Sequence, residues 1–361
     1  MTTLYIAMED ALLVAKEQQG RWQLQMQLDG LPTYCVAHDP HMSDRLYCGT
    51  FGKGLWVSDD GGGNWRPAGQ GGEGIGHAEV MSVAVSPVER EGKYGLVWVG
   101  TEPSALYRSE DGGESWQELR ALQDMPSKPN WSFPPRPYTH HVRWIEPDPV
   151  QPGRLYVAIE QGGIMRTLDG GQTWEDHKAG AQIDGHTLAT HKRTPGRVYE
   201  AAGGDGLILG KDEKGRQFPV LTRGGYAESH DGGVTWETQT RGLEQHHYLW
   251  SIAVDPADPD TIVASAAIGP NQAHFPAFAE SFLYRRTRGT PWQMVSEGLP
   301  EPEGTGACML ASVEDMPGVF YAATGRGVYR SQDAGLSWQQ LDLAIPDRFR
   351  WQRAFGFIVR P

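Results

Sequence analysis

The sequence predicts an all-β chain folded as a single seven-bladed β-propeller. Three observations predict it. Seven tryptophans (Trp22, Trp65, Trp116, Trp174, Trp236, Trp292 and Trp338) recur at steps of 43, 51, 58, 62, 56 and 46 residues. A repeat of roughly 40–50 residues marks a modular fold built from one supersecondary unit. Five of these tryptophans close one short motif: Ser58-Asp-Asp-Gly-Gly-Gly-Asn-Trp65, Ser109-Glu-Asp-Gly-Gly-Glu-Ser-Trp116, Thr167-Leu-Asp-Gly-Gly-Gln-Thr-Trp174, Ser229-His-Asp-Gly-Gly-Val-Thr-Trp236 and Ser331-Gln-Asp-Ala-Gly-Leu-Ser-Trp338. The two ends of the chain carry complementary strand patterns.

Each repeat reads as four short strands. In the second, Thr33-Tyr-Cys-Val-Ala-His-Asp-Pro40, Arg45-Leu-Tyr-Cys-Gly-Thr50 and Gly54-Leu-Trp-Val-Ser58 precede the Asp motif, and a fourth strand starts near Trp65. The runs are β-branched or aromatic and bounded by Gly, Asp and Pro, which is the strand-and-hairpin signature. Second strands recur at Val97, Leu155, Val198, Ile262 and Phe320, and third strands end at Arg108, Arg166, Arg285 and Arg330. An arginine that repeats in this way is read as structural. The amino terminus starts at a second strand, Leu4-Tyr-Ile-Ala7, whereas Ala354-Phe-Gly-Phe-Ile-Val-Arg-Pro361 matches the first-strand pattern Leu249-Trp-Ser-Ile-Ala-Val-Asp-Pro256. The last strand is therefore expected to complete blade one and close the ring, removing exposed sheet edges. The expected blades are 2–31 with 353–361, then 32–73, 77–120, 139–180, 184–243, 247–300 and 305–346.

The totals exclude several classes. A formal charge of −13 argues against nucleic acid as a partner. No apolar run approaches a membrane span. The amino terminus lacks the basic and apolar regions of a signal peptide, so a cytoplasmic chain is expected. Cys35, Cys48 and Cys308 lie in apolar runs and read as buried free thiols.

The repeated motif has a local explanation. Its Asp can accept backbone N–H groups of its own turn. Its fifth residue, always Gly, can take φ > 0 freely. The Trp can wedge between neighbouring sheets. These carboxylates read as structural. With these motifs the chain resembles the BNR (Asp-box) repeat proteins over nearly its whole length. That family includes sialidases, xyloglucan-active glycosidases, sortilin-type receptors and photosystem II assembly factors. The resemblance implies the propeller fold and places the Asp boxes on the face opposite the ligand. Two departures argue against a true sialidase: there is no Phe/Tyr-Arg-Ile-Pro segment, and seven repeats stand where sialidases normally have six blades.

Alternate turns of a four-stranded blade fall on opposite faces, so the Asp motifs define a bottom and the remaining turns a top. Residues 121–140, 203–224 and 268–280 form long irregular top-side segments; such loops usually carry function. His77, His140, His141, His186, His246 and His247 stand at or just before first strands, and His274 lies in the blade-six segment. Trp131 and Phe133 sit in a Pro-rich loop, and Glu102, Glu160, Asp205, Arg223 and Arg326 lie on top turns. The expected site is the top of the channel between blades three and six. There His141, His186, His247, Glu79 and Asp184 are candidate catalytic groups. Arg143, Trp250, Tyr248, His77, Arg223, His274 and Arg326 are candidate substrate contacts. Three readings stay open: a metal-free acid/base or sugar-binding pocket, a divalent metal held by His141, His186 and His247, and mutual pairing across a polar channel. The expected ligand is a small molecule or glycan, processed by a glycosidase-like hydrolase or a lyase. The rival is a scaffold that binds a protein partner.

Overall fold

The computed structural model describes residues 2–69, 74–204, 207–211, 217–221 and 224–361 of the chain, with 207–211 and 217–221 as backbone only. The fold is a seven-bladed β-propeller. Blade one orders Gly356–Arg360, Thr3–Ala7, Leu12–Gln18 and Arg21–Gln27 from the axis outward. The carboxyl-terminal strand pairs antiparallel with the first, from Thr3↔Arg360 to Ala7↔Gly356. Blades two, three, six and seven are likewise four-stranded sheets with their strands in chain order. Blade four has three strands, Val142–Pro147, Leu155–Ile159 and Gly163–Thr167, and one isolated bridge, Arg166↔Glu175, where a fourth would lie.

The Ser/Thr and Asp bonds of the Asp turns recur in all five copies and the Trp bond in four of them, Trp338 Nε1 being buried with no partner among the described residues. Ser58 Oγ donates to Asp60 Oδ1 at 2.8 Å and accepts from Gly62 N at 2.9 Å. Asp60 Oδ1 also accepts from Gly63 N and Asn64 N, each at 2.9 Å. The bond from Asn64 N leads the contacts that hold this carboxyl at about 2. Trp65 Nε1 donates to Gly62 O at 3.2 Å. The fifth residue needs φ > 0, with values from +83° to +95° at Gly62, Gly113, Gly171, Gly233 and Gly335. Two of the third-strand arginines tie blades together: Arg166 Nη1 donates to Gly232 O at 2.5 Å and Arg285 Nε to Ala334 O at 2.6 Å, each in the next blade's Asp turn.

The core lies between blades. Tyr47 and Leu55 of blade two pack with Val97 and Tyr107 of blade three, and the same pairing of neighbours continues round the ring. The three cysteines are free and buried, and burial pushes the Cys35 and Cys308 thiols up to about 12. No helix of the described residues is long and apolar enough to cross a membrane.

The top-side segments are more ordered than expected. Residues 203–224 contain a hairpin, Leu207–Lys211 paired with Gln217–Leu221. Two apolar runs flank the polar stretch 211–217 there, a hairpin pattern that the main repeat obscures. The segment before blade four forms two short 3₁₀ turns, Arg120–Asp124 and Lys128–Asn130, and the blade-six segment forms a short helix, Pro270–His274.

One irregularity recurs in the innermost strands. The register to the second strand shifts between Thr33 and Cys35, Val80 and Ser82, Val142 and Trp144, Gly185 and Thr187, and Leu249 and Ser251. The extra residues are Tyr34, Met81, Arg143, His186 and Trp250. A bulge bends its strand and re-aims a side chain. In this protein it points the same position of successive blades toward the top of the axis.

Candidate active site at the top of the channel

The bulge residues pack on one another. The Arg143 guanidinium carbon lies 4.4 Å from the centre of the Trp250 ring and 5.9 Å from that of Tyr34. Tyr34 stacks on Phe355 at 4.5 Å. The His186 ring stands 4.9 Å from Trp250. This layer roofs the channel. Below it a cavity of about 750 Å³ runs from Arg143 and Phe355 to the prolines at the far ends of the strands, among them Pro40, Pro149 and Pro361.

Above the layer, charged groups from three blades meet. His141 Nε2 is 2.9 Å from Glu160 Oε2, and its Nδ1 is 3.3 Å from Glu102 Oε2. Arg136 grips Glu102 with two bonds of 2.7 and 2.6 Å. Arg143 Nε lies 3.9 Å from Glu160 Oε2. His186 Nε2 is 3.7 Å from Asp184 Oδ2. One donor atom each from Glu160, Asp184 and His186 falls within 4.8 Å of the other two. His141 and His186 are fully buried, whereas the side chains of Glu160 and Asp184 keep 13% and 9% exposure. The carboxylates are thus the groups that reach toward solvent.

The electrostatics follow from burial and partners. Burial works to raise the Glu160 carboxyl, but His141, His186 and Arg143 outweigh it and hold the group at about 2. Glu102 is held low in the same way by His141 and Arg136. Burial and the Glu160 charge push Asp184 the other way, up to about 6, against the pull of His186. Burial opposes protonation of His141, yet its two carboxylate neighbours raise it.

The expected residues divide into groups. His141, Arg143, Asp184, His186, Tyr248, Trp250 and His274 come together. Tyr248 and Trp250 are only 5% and 4% exposed, so they support the site from behind. Tyr248 Oη lies 2.8 Å from His274 Nε2, and Trp250 lies between Arg143 and His274, whose ring centre is 4.4 Å away. His247 is half-buried beside Tyr248 and stands outside the Glu160 group. His246 turns toward its own blade, stacking on Phe282 at 4.0 Å and meeting Tyr284 Oη at 2.6 Å. Glu79 pairs in register with Glu102, two residues after His77, and neither joins the Glu160 group. Arg326 binds Glu303 O and Thr305 Oγ1 at 3.1 and 3.0 Å on blade seven. Arg223 and Asp205 lie outside the described residues. Trp131 is buried and donates to Ser127 Oγ at 2.9 Å, anchoring its loop, while Phe133 covers His141 with ring centres 4.8 Å apart.

Glu160 is the group that the search for first-strand histidines passed over. It stands on a top turn, where its part in the site depends on Arg143 and His141 reaching it. Also missed were the exposed aromatics. The aromatic side chains more than half exposed among the described residues are Tyr138, Phe275, Phe278 and Trp351, at 84, 55, 63 and 52%. Phe275 and Phe278 lie in the blade-six segment, Tyr138 in the link into blade four, and Trp351 in the link into the closing strand. All four are on top-side segments.

No family model matches the chain. An oligoxyloglucan-reducing end-specific xyloglucanase of Emericella nidulans is 28% identical over 156 residues, covering 40% of this chain and 18% of that protein. A xyloglucanase of a Paenibacillus species is 26% identical over 177 residues, or 46% of this chain and 15% of that protein. The chain matches less than a fifth of the length of these curated relatives. Among solved structures, the GH74 xyloglucanase from Xanthomonas campestris aligns with a TM-score of 0.63 at 17% identity, over 98% of this chain and 52% of that one. YCF48 bound to D1 peptide aligns with a TM-score of 0.56 at 17% identity, over 86% and 81%. These structural likenesses support the propeller fold.

Proposed function

We propose that the protein is a glycosidase-like hydrolase or a lyase acting on a carbohydrate-like polar substrate bound on the top face. The observation that carries this reading is the shared location of the charged group and the exposed aromatics. Sugars are recognised by aromatic faces with a few placed polar groups. Tyr138, Phe275, Phe278 and Trp351 supply the faces, and Glu160, Asp184 and His186 the polar centre. In this reading the reacting oxygen of the substrate, or the attacking water, sits among those three side chains. His141 and Arg143 keep Glu160 charged and fixed, and Arg136, through Glu102, fixes His141. The xyloglucanase relatives make neutral β-glucan oligosaccharides, xyloglucan fragments among them, the first compounds to try.

The test is incubation with a panel of soluble oligosaccharides, with products read by mass spectrometry. Turnover is expected, and Glu160→Gln and Asp184→Asn should each lower it by roughly 10²-fold or more at unchanged melting temperature. No turnover on any saccharide, or turnover indifferent to both substitutions, contradicts the reading. The likeness to YCF48, solved with a D1 peptide, favours a second reading in which the same aromatics hold a protein segment. Peptide capture without turnover would select it.

A further inference from the structure

We infer that Glu160, Asp184 and His186 form a three-ligand site for a divalent cation of the Zn²⁺ or Mn²⁺ class. The inference stands on geometry and donor counting, and it holds whatever the substrate.

The ring of His186 is fixed first. Its Nδ1 lies 2.7 Å from the Leu249 carbonyl oxygen, which can only accept, so Nδ1 carries the hydrogen. In the neutral ring Nε2 is then a bare lone pair. A histidine whose far nitrogen is held by a backbone carbonyl is the usual arrangement of a metal ligand. Its one protein hydrogen-bond contact there is long: Tyr248 Oη is 3.4 Å from His186 Nε2 and 2.8 Å from His274 Nε2, so a stronger partner can displace it.

Nε2 instead faces acceptors. Asp184 Oδ2 is 3.7 Å away, and the converging oxygen of Glu160 lies within 4.8 Å of both. With the His186 ring neutral, these are three lone-pair atoms converging on one space, an arrangement that a cation between them would bind. The 3.7 Å between Nε2 and Oδ2 suits two ligand atoms that each stand about 2.0–2.2 Å from one ion. A second observation concerns the same carboxylate. Asp184 is 7% exposed; Gln161 hydrogen-bonds its carboxyl group, but Oδ1 is buried with no hydrogen-bond partner among the described residues. A buried carboxylate oxygen left so is costly.

The backbone leaves room as well. A Cβ at Gly203 would fall 2.2 Å from Asp184 Oδ2 and 2.6 Å from His186 Cε1. Glycine is therefore required beside the two ligands. The donor set of one imidazole and two carboxylates suits a borderline cation better than Ca²⁺ or Mg²⁺, which favour all-oxygen shells. Three protein ligands leave positions open for water or substrate.

The experiment uses the full chain stripped with a chelator and titrated calorimetrically with ZnCl₂ and, separately, MnCl₂. One equivalent should bind. Asp184→Asn and His186→Gln should each weaken binding at least about tenfold, and His230→Ala, on the exposed surface, should leave it unchanged. Crystals soaked in MnCl₂ should show an anomalous peak between the three side chains, which decides the matter even where a substitution disturbs folding. Absence of uptake by the unaltered chain, uptake that survives both ligand substitutions, or a peak elsewhere would overturn the inference.

Discussion

Arg143 and Trp250 meet face to guanidinium, 4.4 Å apart, although they belong to blades four and six. Both are bulge residues of innermost strands, and both stand six residues before a proline just beyond the strand, Pro149 and Pro256. Tyr34, Met81 and Phe355 stand six residues before Pro40, Pro87 and Pro361. One repeat position is thus filled with different chemistry in blades one, two, three, four and six.

Arg143 is 1% exposed and offers Glu160 its nearest fixed positive charge. Arg143→Met should destabilise the fold by roughly 3–5 kcal/mol, because it leaves a buried carboxylate with less compensation. Arg143→Lys should recover only part, since an ammonium cannot lie flat on the indole as a guanidinium does. Urea unfolding of the three proteins at neutral pH checks both statements.

Glu146, in the channel wall, accepts from Thr190 N and Oγ1 at 3.0 and 2.8 Å and from Trp144 Nε1 at 3.2 Å. Burial outweighs these bonds and raises its carboxyl from 4.5 to about 7. Between those values the unfolded chain has lost the proton that the folded chain keeps, so this group lowers stability as pH rises. The stability of Glu146→Gln relative to the unaltered protein should therefore climb between pH 4.5 and pH 7, by at most about 3 kcal/mol. Denaturant titrations across that range test it; a flat difference would refute it.

Ala334 takes φ +61° in the blade-seven Asp turn, where the other four copies have glycine at φ +70° to +77°. The left-handed conformation strains a residue with a Cβ. Ala334→Gly should stabilise the protein by roughly 0.5–1 kcal/mol after the larger entropy loss of glycine is counted, seen as a higher melting temperature. The reverse change, Gly232→Ala in blade five, should lower it.

Trp351 is exposed and borders a recess lined by His274, Arg326 and Arg353. Trp351→Ala should weaken oligosaccharide binding roughly tenfold, about 1.4 kcal/mol, with unchanged stability. Isothermal titration beside a melting curve separates the two effects.

The fold was legible because its signals are local. The Asp turns at Asp60, Asp111, Asp169, Asp231 and Asp333, the spaced tryptophans and the strand patterns each act within a dozen residues. The site was legible in part. First-strand position led to His141, Arg143, Asp184 and His186. It also led to His246, which turns into its own blade, and gave no means of telling the two outcomes apart. The reason is the bulge, which breaks the period-two alternation on which side-chain direction is read. Glu160 and Glu102 could be placed on top turns, but their roles arise from partners in other strands and in the Arg136 loop. The burial of Trp250 likewise depends on Arg143 and His274 arriving from separate segments. Such encounters are set by tertiary packing.

A crystal structure of the protein soaked with a bound oligosaccharide bears most directly on the central claim. The sugar should lie on the top face against Trp351 or the Phe275–Phe278 pair, with one of its oxygens about 3 Å from Glu160 or Asp184. A saccharide seated in the lower channel beneath Arg143, or on the Asp-turn face, would contradict the account.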